Sequence, residues 1–323
     1  MKFHVIKSKK LFETKHTISP YIFLNYLEIE IAMTKKDILL HLRFPFSLFL
    51  MPIYWLAISQ QVDGDFVNNL WIFVILHIFI YPASNAFNSY FDKDEGSIGG
   101  LKNPPKVDIN LWYAANIFDA LGVILSILMV GTWFGILVLF YVTVSRLYSH
   151  PSIRLKKYPV LSWLVVGLFQ GALVFMMVYT FGQNLNITDF LEAKNLSNAP
   201  IWVGSLLSAL ILWAVYPITQ VYQHEEDTKN GDKTMSILLG IRGTFIFCIT
   251  FFSLALACSF FFLEQNDFTR FVAFSFPIAV FMNYWFLKVW KKPEEANFKY
   301  TMILNLMASL LLNICFIINA LMS

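Results

Sequence analysis

The chain has 323 residues and a net charge of +3, and 57% of its residues are hydrophobic, 17% aromatic and only 14% charged. A soluble domain carries about 25% charged residues. The composition therefore excludes a soluble fold and predicts a polytopic membrane protein surrounded by membrane lipid. The weak net charge does not indicate a nucleic-acid partner. Cys248, Cys258 and Cys315 lie singly in apolar stretches, which predicts packing roles and neither a disulfide nor a metal site.

Nine apolar stretches are each long enough to cross a membrane as a helix, which takes about 20 residues. In chain order they cover residues 43–61, 70–91, 111–130, 133–149, 159–181, 201–222, 240–263, 268–288 and 300–321. The predicted fold class is all-α, a polytopic membrane protein in which residues 43–321 form a bundle of nine transmembrane helices. Residues 1–42 are expected to form a cytoplasmic N-terminal segment without a cleaved signal peptide. Pro45 and Pro52 predict a kink in the first span.

Basic residues fall almost entirely on one side of this topology. Of the 24 lysines and arginines, only Lys194 and Arg270 lie in the opposite loops. Because cytoplasmic loops carry the excess of basic residues, the N-terminus is predicted to face the cytoplasm. We expect the membrane to be a bacterial inner membrane.

A polar sequence closes two of the spans. The second span ends in YPASNAFNSYFDKDEG (Tyr81–Gly96) and the sixth in YPITQVYQHEEDTKNG (Tyr216–Gly231). A helix brings residues three and four apart to one face. That face would hold Tyr81, Asn85, Asn88 and Asp92 in the first copy and Tyr216, Gln220, Gln223 and Asp227 in the second. One copy could be a helix end reaching water, but two matching copies indicate an internal parallel repeat that kept a paired site.

Further polar groups accompany the two motifs. Asp119 lies inside the third span, where an acid faces the bundle interior and either contacts a ligand or bonds a neighbouring helix. The fourth span leads into SRLYSHPSIRLKKYP. This segment is either an ordinary cytoplasmic basic loop or a basic part of the site that faces the two carboxylate motifs across the bundle. Its candidate residues are Arg146, Tyr148, Arg154 and Lys156.

Two carboxylate clusters at one membrane depth repel each other unless a cation lies between them. Carboxylate and amide oxygens suit Mg²⁺, which commonly bridges one or two carboxylates to substrate phosphates. Arginine and lysine bind the remaining phosphate oxygens. The pattern predicts a magnesium-bound diphosphate at the cytoplasmic mouth of the bundle, with an apolar tail among the helices.

The two motifs resemble those of the UbiA superfamily of intramembrane prenyltransferases. Asn88 and Asp92 match a first motif N-x-x-x-D-x-x-x-D, whose last acid is replaced by Gly96, with Asp94 or Glu95 as stand-ins. Asp227 and Gly231 match a second motif D-x-x-x-D-x-x-x-G. Gln223 replaces its leading acid, and Glu225 or Glu226 are the candidates to compensate. The segment after the fourth span also resembles the superfamily's tyrosine-and-lysine segment.

The resemblance implies a role for each matching residue. The implied catalytic residues are Asp92, Asp227 and Tyr148. The implied substrate-binding residues are Asn85, Asn88, Arg146, Arg154, Lys156, Gln223 and Lys233. The implied ligands of Mg²⁺ are Asn88, Asp92, Glu226 and Asp227. The implied reaction moves an isoprenyl group from a prenyl diphosphate to an aromatic or other lipophilic acceptor.

Two other functions remain open on the sequence. A membrane transporter also uses internal repeats, but its site lies near the bilayer midplane, whereas both motifs crowd one membrane face. A prenyl-diphosphate cyclase or hydrolase on the same fold would use the same motifs without an acceptor. The sequence does not distinguish a cyclase or a hydrolase from a transferase.

Overall fold

The structure, a computed structural model, describes residues 33–185 and 199–322. Its helices are α1 (Lys35–Leu42), α2 (Met51–Ile58), α3 (Phe66–Asp92), α4 (Ile109–Val130), α5 (Thr132–Ser149), α6 (Pro159–Phe181), α7 (Pro200–Gln220), α8 (His224–Lys229), α9 (Met235–Phe262), α10 (Gln265–Lys291) and α11 (Phe298–Met322). No strand occurs within these described ranges. Eight helices, α3 to α7 and α9 to α11, are long and apolar enough to cross a membrane. The predicted all-α membrane fold is confirmed.

The predicted first span is bent. A 3₁₀ turn at Phe44–Phe49 follows α1, and the two halves of the pair α1–α2 differ in direction by 42°. Arg43 adopts the left-handed conformation at the break (φ 49°), and Pro45 and Pro52 each stand at the start of a new helical piece. Proline suits that position because the first turn of a helix needs no N–H donor there. If the bent pair is one span, the bundle has the nine helices predicted.

The start of the described chain packs on the bundle. The Met33 N–H donates to Asp108 Oδ2 over 2.8 Å, and His41 Nε2 lies 2.8 Å from the Pro105 carbonyl oxygen. Leu42 is fully buried. Residues 33–42 therefore belong with the bundle, although the sequence assigned them to a separate N-terminal segment. The rest of that segment lies outside the described residues.

The two repeat copies end differently. In α3 a π-helical stretch at Ile75–Ile80 precedes Pro82 and the helix continues to Asp92. In α7 the helix tightens into a 3₁₀ turn at Pro217–Gln220, and a new helix, α8, follows Gln223. Proline cannot donate to the carbonyl four residues earlier. In α7 that carbonyl, on Trp213, instead accepts a hydrogen bond from Trp163 Nε1 over 3.2 Å.

The expectation of one continuous helical face in the second copy is therefore wrong. Gln220 and Asp227 lie on separate helices, and Gln223 between them has non-helical angles (φ −103°, ψ 2°). The chain turns here, so α8 lies beyond the end of the α7 span. Packing then assembles the bundle: α3 lies against α4, α7 between α6 and α9, and α11 against α2 and α10.

Candidate active site

A cavity of about 320 Å³ opens between α3, α5, α7 and α11. Its apolar walls include Phe49, Ile53, Phe169, Ile211 and Leu312. Polar side chains gather where the helices carrying the motifs end. The cavity thus combines a polar mouth with an apolar interior inside a membrane-spanning bundle.

Most of the predicted site residues meet in this cavity. Those that line it are Asn85, Asn88, Asp92, Tyr148, Lys156, Gln223 and Asp227. Asp94 also lines it, whereas Glu95 is exposed. Of the two stand-ins for the acid missing at Gly96, the structure favours Asp94.

An ion-pair cluster links the first motif to the basic segment. Lys156 Nζ lies 2.6 Å from Asp92 Oδ1 and 3.1 Å from Asp232 Oδ2. Arg154 forms a bidentate ion pair with Asp232, donating from Nε to Oδ1 over 2.7 Å and from Nη2 to Oδ2 over 2.8 Å. Arg154 Nη2 also comes within 3.6 Å of Asp92 Oδ1. The basic segment therefore contacts a carboxylate of the first motif and the one that follows the second.

Asp232 is a site residue that sequence reasoning missed. It lines the cavity and is buried. Burial alone raises the pKa of a carboxyl, but the hydrogen bonds from Arg154 and the nearby Lys156 hold the pKa of Asp232 below its usual range. Its position directly after Gly231, at the end of the second motif, was the available signal.

Arg43 was also missed. It is buried and lines the cavity, donating from Nη1 to the Gly99 carbonyl and from Nη2 to the Asn85 carbonyl, both over 3.1 Å. The sequence treated it as one of many cytoplasmic basic residues. Its left-handed backbone at the bend after α1 directs the side chain inward.

The remaining carboxylates of the mouth are held close to one another. Burial, followed by the charge of Asp92, raises the pKa of Asp94 to about 6 despite the opposing charge of Lys156. Burial raises the pKa of Asp227 to about 7, with added contributions from Asp232 and its other acidic neighbours. Both shifts mean that ionising these groups is costly, so a cation bound here would be stabilised.

The donor set fits magnesium shared with a diphosphate. Across residues 33–185 and 199–322, no three acidic, histidine or cysteine side chains converge as a metal cage. Mg²⁺ does not require one, because it usually keeps waters and takes one or two carboxylates plus substrate phosphates. Asp92, Asp94 and Asp227 supply such carboxylates. The Asn88 amide oxygen accepts a hydrogen bond from Ser149 Oγ over 2.8 Å and keeps a second lone pair.

Tyr148 is held at the cavity by the second motif. Its hydroxyl forms a short hydrogen bond with that of Tyr216, the first residue of the repeat. Gln223 Nε2 donates to the Ser97 carbonyl over 3.3 Å, which ties the second motif to the loop after the first.

Three predicted substrate-binding residues, Arg146, Arg154 and Lys233, do not line the cavity. Arg154 lies behind the lining and contacts it through Asp232 and Asp92. Arg146 forms an ion pair with Asp119 and stacks over Phe87, its Cζ 3.7 Å from the ring centroid. Residues two apart on a helix face in nearly opposite directions, so Arg146 points away when Tyr148 points in. Asp119 of α4 thus bonds the neighbouring helix α5. Of the two alternatives offered by the sequence, a ligand contact or a bond between helices, the structure has the bond between helices. Lys233 is exposed and outside the cavity lining.

Glu226, a predicted ligand of Mg²⁺, also lies outside the cavity lining. Its Oε1 accepts hydrogen bonds from the backbone N–H groups of Glu95 and Gly96, over 2.8 and 3.0 Å. The side chain therefore anchors the loop that follows the first motif. Glu225 is exposed and paired with Lys229 (2.9 Å), so it does not compensate for Gln223.

Fold and site together define an integral membrane protein with an acidic, cation-compatible mouth on an apolar intramembrane cavity. The family model of the UbiA prenyltransferase family matches residues 47–308. The chain belongs to this family, whose members are intramembrane prenyltransferases. No curated protein sequence matches it significantly.

Solved structures share the fold. The apo UbiA homologue from Aeropyrum pernix K1 is 15% identical, with a TM-score of 0.64 over 85% of this chain and 98% of that one. The Archaeoglobus fulgidus homologue bound to DMAPP and Mg²⁺ is 14% identical, with a TM-score of 0.61 over 89% and 100%. A digeranylgeranylglyceryl phosphate synthase is 20% identical, with a TM-score of 0.56 over 89% and 99%.

Proposed function

We propose that the chain transfers an isoprenyl group from a prenyl diphosphate to an aromatic or other lipophilic acceptor. The observation that carries this proposal is the cavity itself. Carboxylates of both motifs and the Lys156 ammonium meet at the mouth of an apolar chamber inside a membrane protein. A diphosphate suits the mouth and its hydrocarbon tail suits the chamber. The homologue from Archaeoglobus fulgidus binds DMAPP and Mg²⁺, which supports the choice of substrate class.

Asp92, Asp94 and Asp227, with Asn88, are the residues that would hold magnesium together with the diphosphate. When bound, the ion supplies Lewis-acid stabilisation of the negative charge on the departing diphosphate. Glu226 is left out of this set because its carboxylate anchors the loop backbone.

The chain's own cations complete the phosphate site. Lys156 and Arg154 are paired with Asp92 and Asp232, so they are already at the mouth and need only exchange partners to contact phosphate oxygens. Such preorganised charge stabilises the developing negative charge without reorganisation. Arg43 holds the loop and α3 in place from the other side.

In the reaction, the allylic C–O bond breaks and both electrons leave with the diphosphate. The acceptor then supplies the electron pair of the new bond and releases a proton, for which the departing diphosphate is the nearest recipient. The apolar walls keep water from competing for the allylic centre. Ring faces such as that of Phe169 can stabilise positive charge near them.

The position of the carboxylates favours an enzyme over a transporter. Asp92 is the last residue of α3, and Asp227 lies in α8, past the end of α7. Both are thus at one end of the bundle, whereas transporter sites lie near the midplane. The distribution of basic residues supports a cytoplasmic orientation of this end, and we propose a bacterial inner membrane as its location. Product analysis with labelled geranyl diphosphate separates a transferase from a cyclase or hydrolase.

The proposal predicts that binding of geranyl diphosphate requires both magnesium and Lys156. Lys156→Ala should weaken binding at least tenfold, because it removes a charge-assisted contact to phosphate. Chelation of magnesium should weaken it further. Lys233→Ala is the matched control and should bind normally, since this lysine is exposed and outside the cavity lining. Titration calorimetry in detergent measures all three, and equal affinity of both variants, or full binding with chelator present, would refute the site.

The raised pKa values of Asp94 and Asp227 predict a pH-dependent stability. Both carboxyls start from 3.8 and rise to about 6 and about 7 on folding. Between pH 3.8 and about 7 the folded chain binds more protons than the unfolded chain. The ligand-free protein therefore loses stability as the pH rises from 3.8 to about 7. Magnesium chloride should therefore raise the melting temperature more at pH 7.5 than at pH 5, and sodium chloride of equal ionic strength should not. An equal magnesium effect at both pH values, or a smaller one at pH 7.5, would contradict the assigned ligands.

A further inference from the structure

The cavity extends well beyond the charged mouth, and Asn305 stands in its deeper part. This residue belongs to α11 and lines the cavity. Seven residues separate it from Phe298, where α11 begins on the motif side, which places it about 10 Å along the helix at 1.5 Å per residue. An asparagine inside a membrane-spanning helix commonly forms a hydrogen bond to a neighbouring helix.

No such bond exists within the described structure. Asn305 is 3% exposed, and both its amide nitrogen Nδ2 and its oxygen Oδ1 are buried without a hydrogen-bond partner. The neighbouring hydroxyl is not available as a donor, because Ser309 Oγ donates to the Asn305 backbone carbonyl over 2.7 Å. Leaving buried polar atoms unpaired destabilises a protein, so this amide is kept at a cost in stability.

Two other asparagines of the same helix each have one polar side-chain atom paired, whereas Asn313 Oδ1 and Asn319 Nδ2 lack a partner. Asn313 Nδ2 donates to the Leu48 carbonyl over 3.3 Å, and Asn319 Oδ1 accepts from Arg270 Nε over 2.6 Å. These two hold α11 to its neighbours. Asn305 differs from them because it lines the cavity and neither of its polar side-chain atoms has a partner.

We infer that Asn305 binds a neutral hydroxyl group of the prenyl acceptor, and this inference rests on the proposed function. An amide with both atoms unpaired needs a partner that donates and accepts at once, and a hydroxyl does both. A carboxylate only accepts and would leave Oδ1 facing negative charge. An ammonium only donates and would leave Nδ2 unpaired.

The charges of the lining agree with a neutral head group. The charged residues among the lining side chains are Arg43, Asp92, Asp94, Lys156, Asp227 and Asp232. Each of them lies in the bend after α1, at the end of α3 or in the segments beyond α5 and α7. No cation in the described lining accompanies Asn305 on α11, so an anionic head would be desolvated there without compensation.

The rings around the cavity favour an aromatic carrier for that hydroxyl. Tyr81, Tyr141 and Phe169 line the same chamber, and the Tyr81 hydroxyl is likewise buried without a partner. A ring that bears a hydroxyl is also electron-rich, as alkylation by an allylic centre requires. The acceptor class is therefore a phenol or hydroquinone with its hydroxyl un-ionised.

The test compares 1-naphthol with 1-naphthoate, which match in ring system and differ in charge at pH 7. The unmodified protein should bind 1-naphthol at least tenfold more tightly than 1-naphthoate. Asn305→Leu should weaken 1-naphthol about tenfold, the effect of one to two lost hydrogen bonds, and leave geranyl diphosphate affinity unchanged. The same variant should melt about 2 °C higher or more, because an unpaired buried amide is removed.

Asn313→Leu is the matched control. It removes the hydrogen bond from Asn313 Nδ2 to the Leu48 carbonyl and lies outside the cavity lining, so it should lower the melting temperature and leave 1-naphthol affinity unchanged. If Asn305→Leu also lowers the melting temperature and leaves 1-naphthol affinity intact, Asn305 is a structural residue and the inference fails. Equal loss of geranyl diphosphate and 1-naphthol would overturn it as well. Tighter binding of 1-naphthoate by the unmodified protein overturns it without any variant. Absence of geranyl diphosphate binding to the unmodified protein would instead refute the proposed function.

Discussion

Asp92→Asn and Asp227→Asn should each lower turnover of a prenyl diphosphate by about 10³-fold, the scale on which loss of one preorganised charge acts in an active site. Each change removes one negative ligand from a site that both motifs share. If the two act as a unit, the double variant should lose little more than the worse single variant, as interdependent catalytic groups do. Independent groups would multiply their losses. Steady-state assays with labelled geranyl diphosphate measure all three variants.

Asp119→Asn is the matched control for this experiment. Asp119 is also a buried acid of the bundle, but it pairs with Arg146 and lies outside the cavity lining. The change should lower the melting temperature, because it weakens a buried ion pair, while turnover of the folded protein stays near normal. Near-normal turnover in either Asp92→Asn or Asp227→Asn would remove that residue from the site. Cleanly multiplicative losses would rule out one shared assembly.

The transmembrane helices could be predicted because their length is set by the bilayer. The predicted span 159–181 has the bounds of α6 (Pro159–Phe181), and the seven others that form single helices differ from the prediction by at most about five residues at either end. The first span, predicted at 43–61, is instead the bent pair that begins at Lys35. Apolar composition over about 20 residues is sufficient for this. The break between Gln220 and His224 was not predicted, because both repeat copies contain the same Tyr-Pro pair, yet α3 continues as a helix to Asp92 whereas α7 tightens into a 3₁₀ turn at Pro217–Gln220.

The site could be predicted as far as it depends on spacing within one motif. Asn88, Asp92 and Asp227 line the cavity as expected. Arg146 could not be placed from sequence, since its direction is settled by which face of α5 meets α4. Asp232 and Arg43 also depend on contacts between distant segments. Such contacts leave no periodic pattern along the chain.

The chain departs from the family motifs at Gly96 and Gln223, and both departures concern the loop that follows the first motif. An ideal Cβ on Gly96 would lie 2.2 Å from Glu226 Oε2. Glu226 therefore fills the space beside the position where the first motif has its last acid. Gln223, the other departure, bonds the same loop through the Ser97 carbonyl. The second motif thus anchors this loop at two points, through the Glu226 carboxylate and the Gln223 amide.

Gly96 has no positive φ, so its backbone accepts any residue and only the Glu226 carboxylate opposes a side chain there. Gly96→Asp should therefore leave the protein folded, displace Glu226 from the Glu95 and Gly96 N–H groups, and lower turnover. The expected loss is about 10²-fold, the effect of misplacing a site by about 1 Å. Adding Glu226→Ala should recover most of it, because the new aspartate then occupies the vacated space in the family's own arrangement.

Glu226→Gln separates the anchoring role from the metal role that the sequence assigned. Glutamine keeps the Oε1 acceptor for both backbone N–H groups and removes the charge, so an anchor should retain turnover within about threefold. A magnesium ligand would instead lose about 10²-fold or more. Glu225→Ala, a change of the exposed neighbour, is the matched control and should behave as the unmodified protein does. The decisive comparison is turnover of Gly96→Asp with and without Glu226→Ala, at saturating magnesium and equal folded fraction. If the second change deepens the loss, Glu226 acts in the chemistry itself and its assignment as a loop anchor is wrong.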